Sequence, residues 1–179
     1  MVSVVPLSVH PEYTAAAVRW SIQAWIRESY EPRWWDTMAR AHRCTIHDLV
    51  PKLFLEHMSR DLAGDAAARC FVAHNGRRPL GMGQLTLLEA NDFPGRFARV
   101  DGLYVHPEDR SRGVATAIVA RCTDETRVRS ITSLRAFVEH ANGGLFVKLG
   151  WRPTGRVLER GASEWALTFD DGAPAADGR

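Results

Sequence analysis

The sequence predicts an α+β domain on a central mixed, mostly antiparallel sheet, and three observations carry that expectation. Residues 69–105 hold three apolar, β-rich runs separated by turn residues, as in an antiparallel meander. Residues 99–138 read as strand, helix, strand, and a return of this kind sets two strands in parallel. Residues 156–169 read as a closing hairpin around Gly161. With one strand and two helical regions ahead of the meander, the order is β-α-α-β-β-β-α-β-α-β-β.

The elements follow from local signals. Val2 to Pro6 alternates as a short first strand. Pro11 then stands where a helix start tolerates proline, and Val18, Ile22, Trp25 and Ile26 share one face of a helix ending near Ser29. Glu31-Pro32 breaks it. Residues 33–60 form a second helical region, with expected interruptions at Cys44-Thr45 and at Pro51. Arg69 to His74 is a strand, Asn75-Gly76 a turn, and Pro79 to Glu89 the partner strand, where Gly81 and Gly83 suggest a bulge. Phe97 to Val105 completes the meander. A helix runs from Gly113 to about Arg127, Ser133 to Val138 returns as a strand, and Gly144 to Leu149 is a short helix closed by Gly150. Strands at 156–159 and 164–169 end the fold.

At 179 residues, one domain over positions 1–170 is the simplest division, with 171–179 a Gly- and Pro-bearing tail. The apolar fraction of 45% and charged fraction of 25% are those of an ordinary soluble domain. A net charge of +2 with no long basic run gives no push toward nucleic acid, and Arg77-Arg78 reads as a solvated face. Three widely spaced cysteines argue against a disulfide framework and suit a reducing, cytoplasmic setting. No signal peptide or membrane-spanning run is evident, so no membrane partner is expected. His42, Cys44, His47 and Asp48 match no closed tetrahedral pattern, so no metal is expected.

The chain is organised around Arg99 to Thr116. Val100 to Val105 is a buried strand, His106-Pro107-Glu108-Asp109 a turn, and Val114, Ala117 and Ile118 open a helix. A helix start exposes unpaired N–H groups and the positive end of its dipole, which bind anions. Gly113 lets a ligand approach the backbone, and Arg110 and Arg112 add positive charge. The physical reading is a phosphate or pyrophosphate site.

Arg110-Ser111-Arg112-Gly113-Val114-Ala115 resembles the Gln/Arg-x-x-Gly-x-Gly/Ala motif of the GNAT superfamily of acetyl-coenzyme A-dependent N-acetyltransferases. Leu103 to Glu108 is similar to that superfamily's L-x-V-x-P-E strand exit, and Lys148-Leu149-Gly150-Trp151 to its late K-L-G-F segment. The element order is that of the GNAT fold, which implies helices on both sheet faces. The resemblance is firmest over 69–170 and implies acetyl-CoA as co-substrate. It implies that Leu103, Tyr104 and Val105 line the pantetheine arm and that Arg110, Ser111, Arg112, Gly113, Val114, Ala115 and Thr116 hold the diphosphate. Asn142 and the helix bearing Phe146 would contact the coenzyme. Phe146 stands where the family often has a tyrosine that protonates the departing thiolate.

An acceptor amine must shed a proton to attack the thioester. Asp101 stands where many GNAT members carry an acidic residue and is the leading candidate base, with an arginine-paired structural carboxylate as the alternative. Glu139 is a second carboxylate, and Tyr104 a substitute acid, although alternation sets it opposite Leu103 and Val105. Water could equally protonate the thiolate. Tyr30, Trp34, Trp35 and Asp36 combine aromatic rings and negative charge suited to a cationic amine, whereas Trp20 and Trp25 read as core. The expected function is N-acetylation of a small-molecule primary amine, with a protein or peptide N-acetyltransferase or a non-catalytic acyl-CoA-binding module as alternatives. The family's frequent dimers make a homodimer an option.

Overall fold

The computed structural model describes residues 1–23, 39–43, 45–65, 67–88, 97–138, 143–157 and 161–169. Its strands are β1 (Ser3–Pro6), β2 (Ala68–His74), β3 (Pro79–Leu88), β4 (Phe97–Val105), β5 (Ser133–Val138), β6 (Arg152–Val157) and β7 (Ser163–Thr168). The helices α1 (Thr14–Ile22), α2 (Ile46–Leu62), α3 (Val114–Val128) and the single turn α4 (Leu145–Lys148) flank them. The sheet order is β1-β2-β3-β4-β5-β7-β6. Among the described residues only β4 and β5 pair in parallel, and the other neighbours are antiparallel.

Strand alternation divides the apolar residues between two cores. On one face α3 buries Val114, Ile118, Val119 and Cys122 against Phe71, Leu85, Val100 and Leu134. On the other, α1 and α2 bury Ala17, Trp20, Leu49, Phe54 and Met58 against Cys70, Val72, Met82 and Tyr104. Helices on both faces agree with the expected class. Burial pushes the Cys122 thiol up to about 12, so it behaves as a small apolar residue.

Three local expectations are corrected. The inward face of α1 is Ala17, Trp20 and Ser21, while Val18 and Ile22 sit half-buried at its flank. Ser21 can be buried because its hydroxyl donates to the Ala17 carbonyl at 2.9 Å and to Met82 Sδ at 3.6 Å. Trp20 is core, whereas Trp25, Ile26 and Cys44 lie outside the described residues. Pro51 does not interrupt α2. It removes one hydrogen bond near the helix start at a cost of about 3 kcal/mol. Burial of Leu49, Phe54 and Met58 offsets that, at roughly 1.5–3 kcal/mol per side chain. Strand β6 begins at Arg152 rather than Arg156. It is an exposed edge strand along its whole length, so no apolar alternation marks its start.

The β3–β4 ladder holds the irregularity that matters for the site. Met82 pairs with Tyr104 and Gln84 with Asp101, so two steps on β3 match three on β4. The extra residue of this bulge is on β4, where Gly102 has φ +56°. Gly83 lies opposite it, between Met82 and Gln84, as its glycine suggested, although the extra residue is on the partner strand. Gly81 and Gly83 both permit close approach, since a Cβ on Gly81 would lie 2.6 Å from the Tyr104 carbonyl oxygen and one on Gly83 2.6 Å from Ile118 Cγ2. A separate shift lies at Leu80, between the pairs Ala73–Gly81 and His74–Pro79. The β4 bulge resets alternation. Val100, Leu103 and Val105 face α3, while Arg99, Asp101 and Tyr104 share the α1/α2 face.

Candidate acetyl-transfer site

The parallel strands β4 and β5 pair only at Ala98–Leu134 and Arg99–Arg135. Beyond those pairs β4 continues to Val105 and β5 to Val138 with no ladder between them. The sheet therefore splits at Asp101, where the bulge turns β4 aside. Backbone amides along such a split can bond an extended chain that carries amide groups of its own.

Strand β4 leads into the loop at the start of α3. Pro107–Asp109 forms a single 3₁₀ turn, and Ser111 and Gly113 have φ of +60° and +79°. Gly113 is the residue before α3, whose first turn contains no acidic side chain. A Cβ there would meet nothing within 4 Å, so the helix N-terminus opens onto free space. Its first N–H groups have no partner one turn back and point outward, as an anion site requires.

The loop is held by a clamp that the sequence reading missed. Asp109 is 4% exposed, and its carboxylate accepts from Arg78 Nη1 at 2.7 Å and Nη2 at 3.0 Å. Arg112 Nη1 lies 3.8 Å away and His106 Nδ1 3.9 Å away. Arg78 thus fastens the loop from the exposed face that the sequence suggested, its side chain 44% exposed. Its hydrogen bonds hold the Asp109 carboxyl below the ordinary carboxylate range. A lowered folded value stabilises above the unfolded one near 3.8, and the contribution is lost as pH falls through the folded value. Asp109→Asn is expected to cost about 1–2 kcal/mol, the low end because Arg78 is half in solvent. Calorimetry should then show coenzyme A affinity reduced by roughly tenfold, a loss that acidification through the lowered Asp109 value imitates in the unsubstituted chain.

The two loop arginines separate. Arg110 Nε donates to the Val105 carbonyl at 3.1 Å, and its guanidinium lies 5.7 Å from the Tyr104 ring centroid. It fastens the loop back onto β4. The Arg112 side chain is 71% exposed and extends toward solvent.

At the split, Asp101 accepts from Arg99 Nε at 3.0 Å on Oδ1 and 2.8 Å on Oδ2, and from Thr86 Oγ1 at 3.3 Å. The arginine partner foreseen for a structural carboxylate is present, and the group remains 24% exposed. Tyr104 is buried, stacked on Trp20 with centroids 5.8 Å apart. Its ring packs into the α1/α2 core. Leu103 and Val105 pack on the α3 side. Phe146 is buried in that core edge-on to Trp151, with centroids 4.7 Å apart. Gly150, at φ +81°, closes α4 as expected. Glu139, Asn142, Tyr30, Trp34, Trp35 and Asp36 lie outside the described residues.

The acetyltransferase (GNAT) family model matches residues 20–151, most of the chain. The chain belongs to the GNAT acetyltransferase family. This is a family of acetyl-CoA-dependent transferases, and the same fold recurs in solved GNAT structures. A GCN5-related N-acetyltransferase from Ralstonia eutropha superposes with a TM-score of 0.68 at 18% identity, covering 89% of this chain and 97% of its own. The PaiA N-acetyltransferase of Thermoplasma acidophilum, in complex with coenzyme A, gives 0.67 at 14% identity over 94% and 99%. The NatC complex bound to Gag peptide and CoA gives 0.60 at 16% identity over 94% and 98%. No curated protein matches the sequence at a significant level. Among the described residues, no helix is long and apolar enough to cross a membrane.

Proposed function

We propose that this GNAT chain transfers the acetyl group of acetyl-CoA to the primary amine of a small molecule. The observation that carries the reading is the split between β4 and β5, which opens at Asp101 and runs directly into the loop before α3. In this reading the diphosphate lies on the N–H groups from Gly113 to Thr116, with Ser111 and Arg112 beside them. The pantetheine arm bonds the β4 backbone at Leu103, Tyr104 and Val105. Asn142 and the α4 segment flank the coenzyme. Tyr30, Trp34, Trp35 and Asp36 form the acceptor wall.

The chemistry needs a proton sink and a stabilised oxyanion. Asp101 takes the acceptor proton, directly or through water, and Glu139 is the second carboxylate in reach by sequence. Backbone N–H groups of β4 at the split polarise the thioester carbonyl. The nitrogen attacks, the carbon–sulfur bond breaks and coenzyme A leaves as the thiolate. Phe146 has no proton to give, and the Tyr104 ring is buried against Trp20, so solvent protonates the thiolate. A thiol of pKa about 8.5 is an adequate leaving group for that.

Free-thiol release from acetyl-CoA with a panel of polyamines, aminoglycosides, amino acids and short peptides tests this function. Turnover with a small amine, reduced about 100-fold or more in kcat by Asp101→Asn, is the expected result. Turnover confined to peptides would make the chain a peptide acetyltransferase. Coenzyme binding with no turnover would make it an acyl-CoA-binding module.

A further inference from the structure

One buried polar side chain beside the split has no role in the reading above. Gln84, midway along β3, is 3% exposed, and its amide Nε2 is buried without a hydrogen-bond partner among the described residues. It pairs across the ladder with Asp101. Directly opposed residues leave a sheet on the same face with Cβ atoms about 5 Å apart, a gap that one water spans. A Cβ on Gly102 would lie 2.9 Å from Gln84 Oε1 and 3.0 Å from Phe54 Cε1. The glycine at the bulge therefore leaves room for the amide. An apolar side chain of the same shape would avoid desolvating an unpaired donor, so stability does not explain glutamine here.

We propose that Gln84 is a positioning residue for acyl transfer, its amide holding the water through which the acceptor amine passes a proton to Asp101. The proposal rests on the acetyl-transfer reading given above. Arg99 and Thr86 engage both Asp101 oxygens yet leave acceptor capacity for that water, since a carboxylate offers about four lone-pair sites. The ammonium nitrogen loses one proton through the water to Asp101 and then attacks the thioester carbon. As the nitrogen–carbon bond forms and the carbon–sulfur bond breaks, the nitrogen releases its second proton to solvent and the thiolate takes one up. Asp101 returns its proton to solvent.

The test compares Gln84→Met with the unsubstituted chain in thermal unfolding and in acetyl-CoA turnover with the best amine of the panel. Removing the unpaired amide should raise Tm by about 2–4 °C. It should also lower kcat at least tenfold and leave KM for acetyl-CoA unchanged. The kcat deficit should shrink as pH approaches the amine's own pKa near ~10, where proton removal no longer needs a relay. A fall in Tm would assign the amide to structure and overturn the proposal. So would a kcat within twofold of the original, or a deficit that does not vary with pH. Failure of the unsubstituted chain with every amine strikes the acetyl-transfer reading instead. In that case slow hydrolysis of acetyl-CoA, which uses water as acceptor, supplies the rate for the same comparison.

Discussion

Gly113→Val is expected to weaken coenzyme A binding by about 100-fold or more, measured by titration calorimetry, with the fold retained. Gly113 has φ +79° directly before α3, a conformation that a β-branched residue strongly resists. The strain costs about 1–3 kcal/mol and is relieved only by turning the first N–H groups of the helix. Those groups are the proposed diphosphate donors, and each charge-assisted bond lost costs about 1.5–3 kcal/mol more. A hundredfold loss is about 2.8 kcal/mol, within the roughly 2.5–6 kcal/mol that strain and one bond cost together. Open space around the Cβ position excludes crowding inside the protein as the cause. Helix α3 should persist because Val114, Ile118, Val119 and Cys122 remain buried. Undiminished affinity would remove the diphosphate from this loop.

The largest stability effect is expected at Gly81. There a Cβ would lie 2.6 Å from the Tyr104 carbonyl oxygen and 3.2 Å from the Val105 Cα. The obstacle is the backbone of the neighbouring strand, which cannot rotate away. Gly81→Val should therefore cost about 3 kcal/mol or more, lowering Tm by roughly 6–12 °C. Gly83→Ala is the control. Its Cβ would meet Ile118 Cγ2 at 2.6 Å, a methyl that a small shift of α3 can move, so the loss should be clearly smaller. Gly81 also adjoins the bond from His106 N–H to the Leu80 carbonyl at 2.9 Å, which seats the start of the loop before α3, the proposed coenzyme site. Coenzyme affinity should fall together with stability in Gly81→Val.

Strand β5 and helix α3 fall where alternation and helical spacing put them, because both are half-buried elements whose inner faces are apolar. The edge strand β6 left no such trace, and α2 runs through a proline that local rules treat as a breaker. The same contrast holds at the site. The strand, turn and helix around Arg110 to Gly113 are legible because a strand–turn–helix with a glycine is a local pattern. The Arg78–Asp109 clamp joins residues 31 apart, and Gln84 meets Asp101 only through strand register. Distance along the chain hides such pairs.

From the chain alone come the order of elements, the strand–loop–helix with a glycine at the helix start, and the missing hydroxyl at Phe146. Local spacing and side-chain chemistry suffice for these. The packed fold alone decides that the sheet splits at Asp101, that Arg110 binds strand while Arg112 meets solvent, and that Tyr104 is core. The physical reason is one extra residue at Gly102. It resets which side chains share a face, and its effect appears only when β4 is laid against β3.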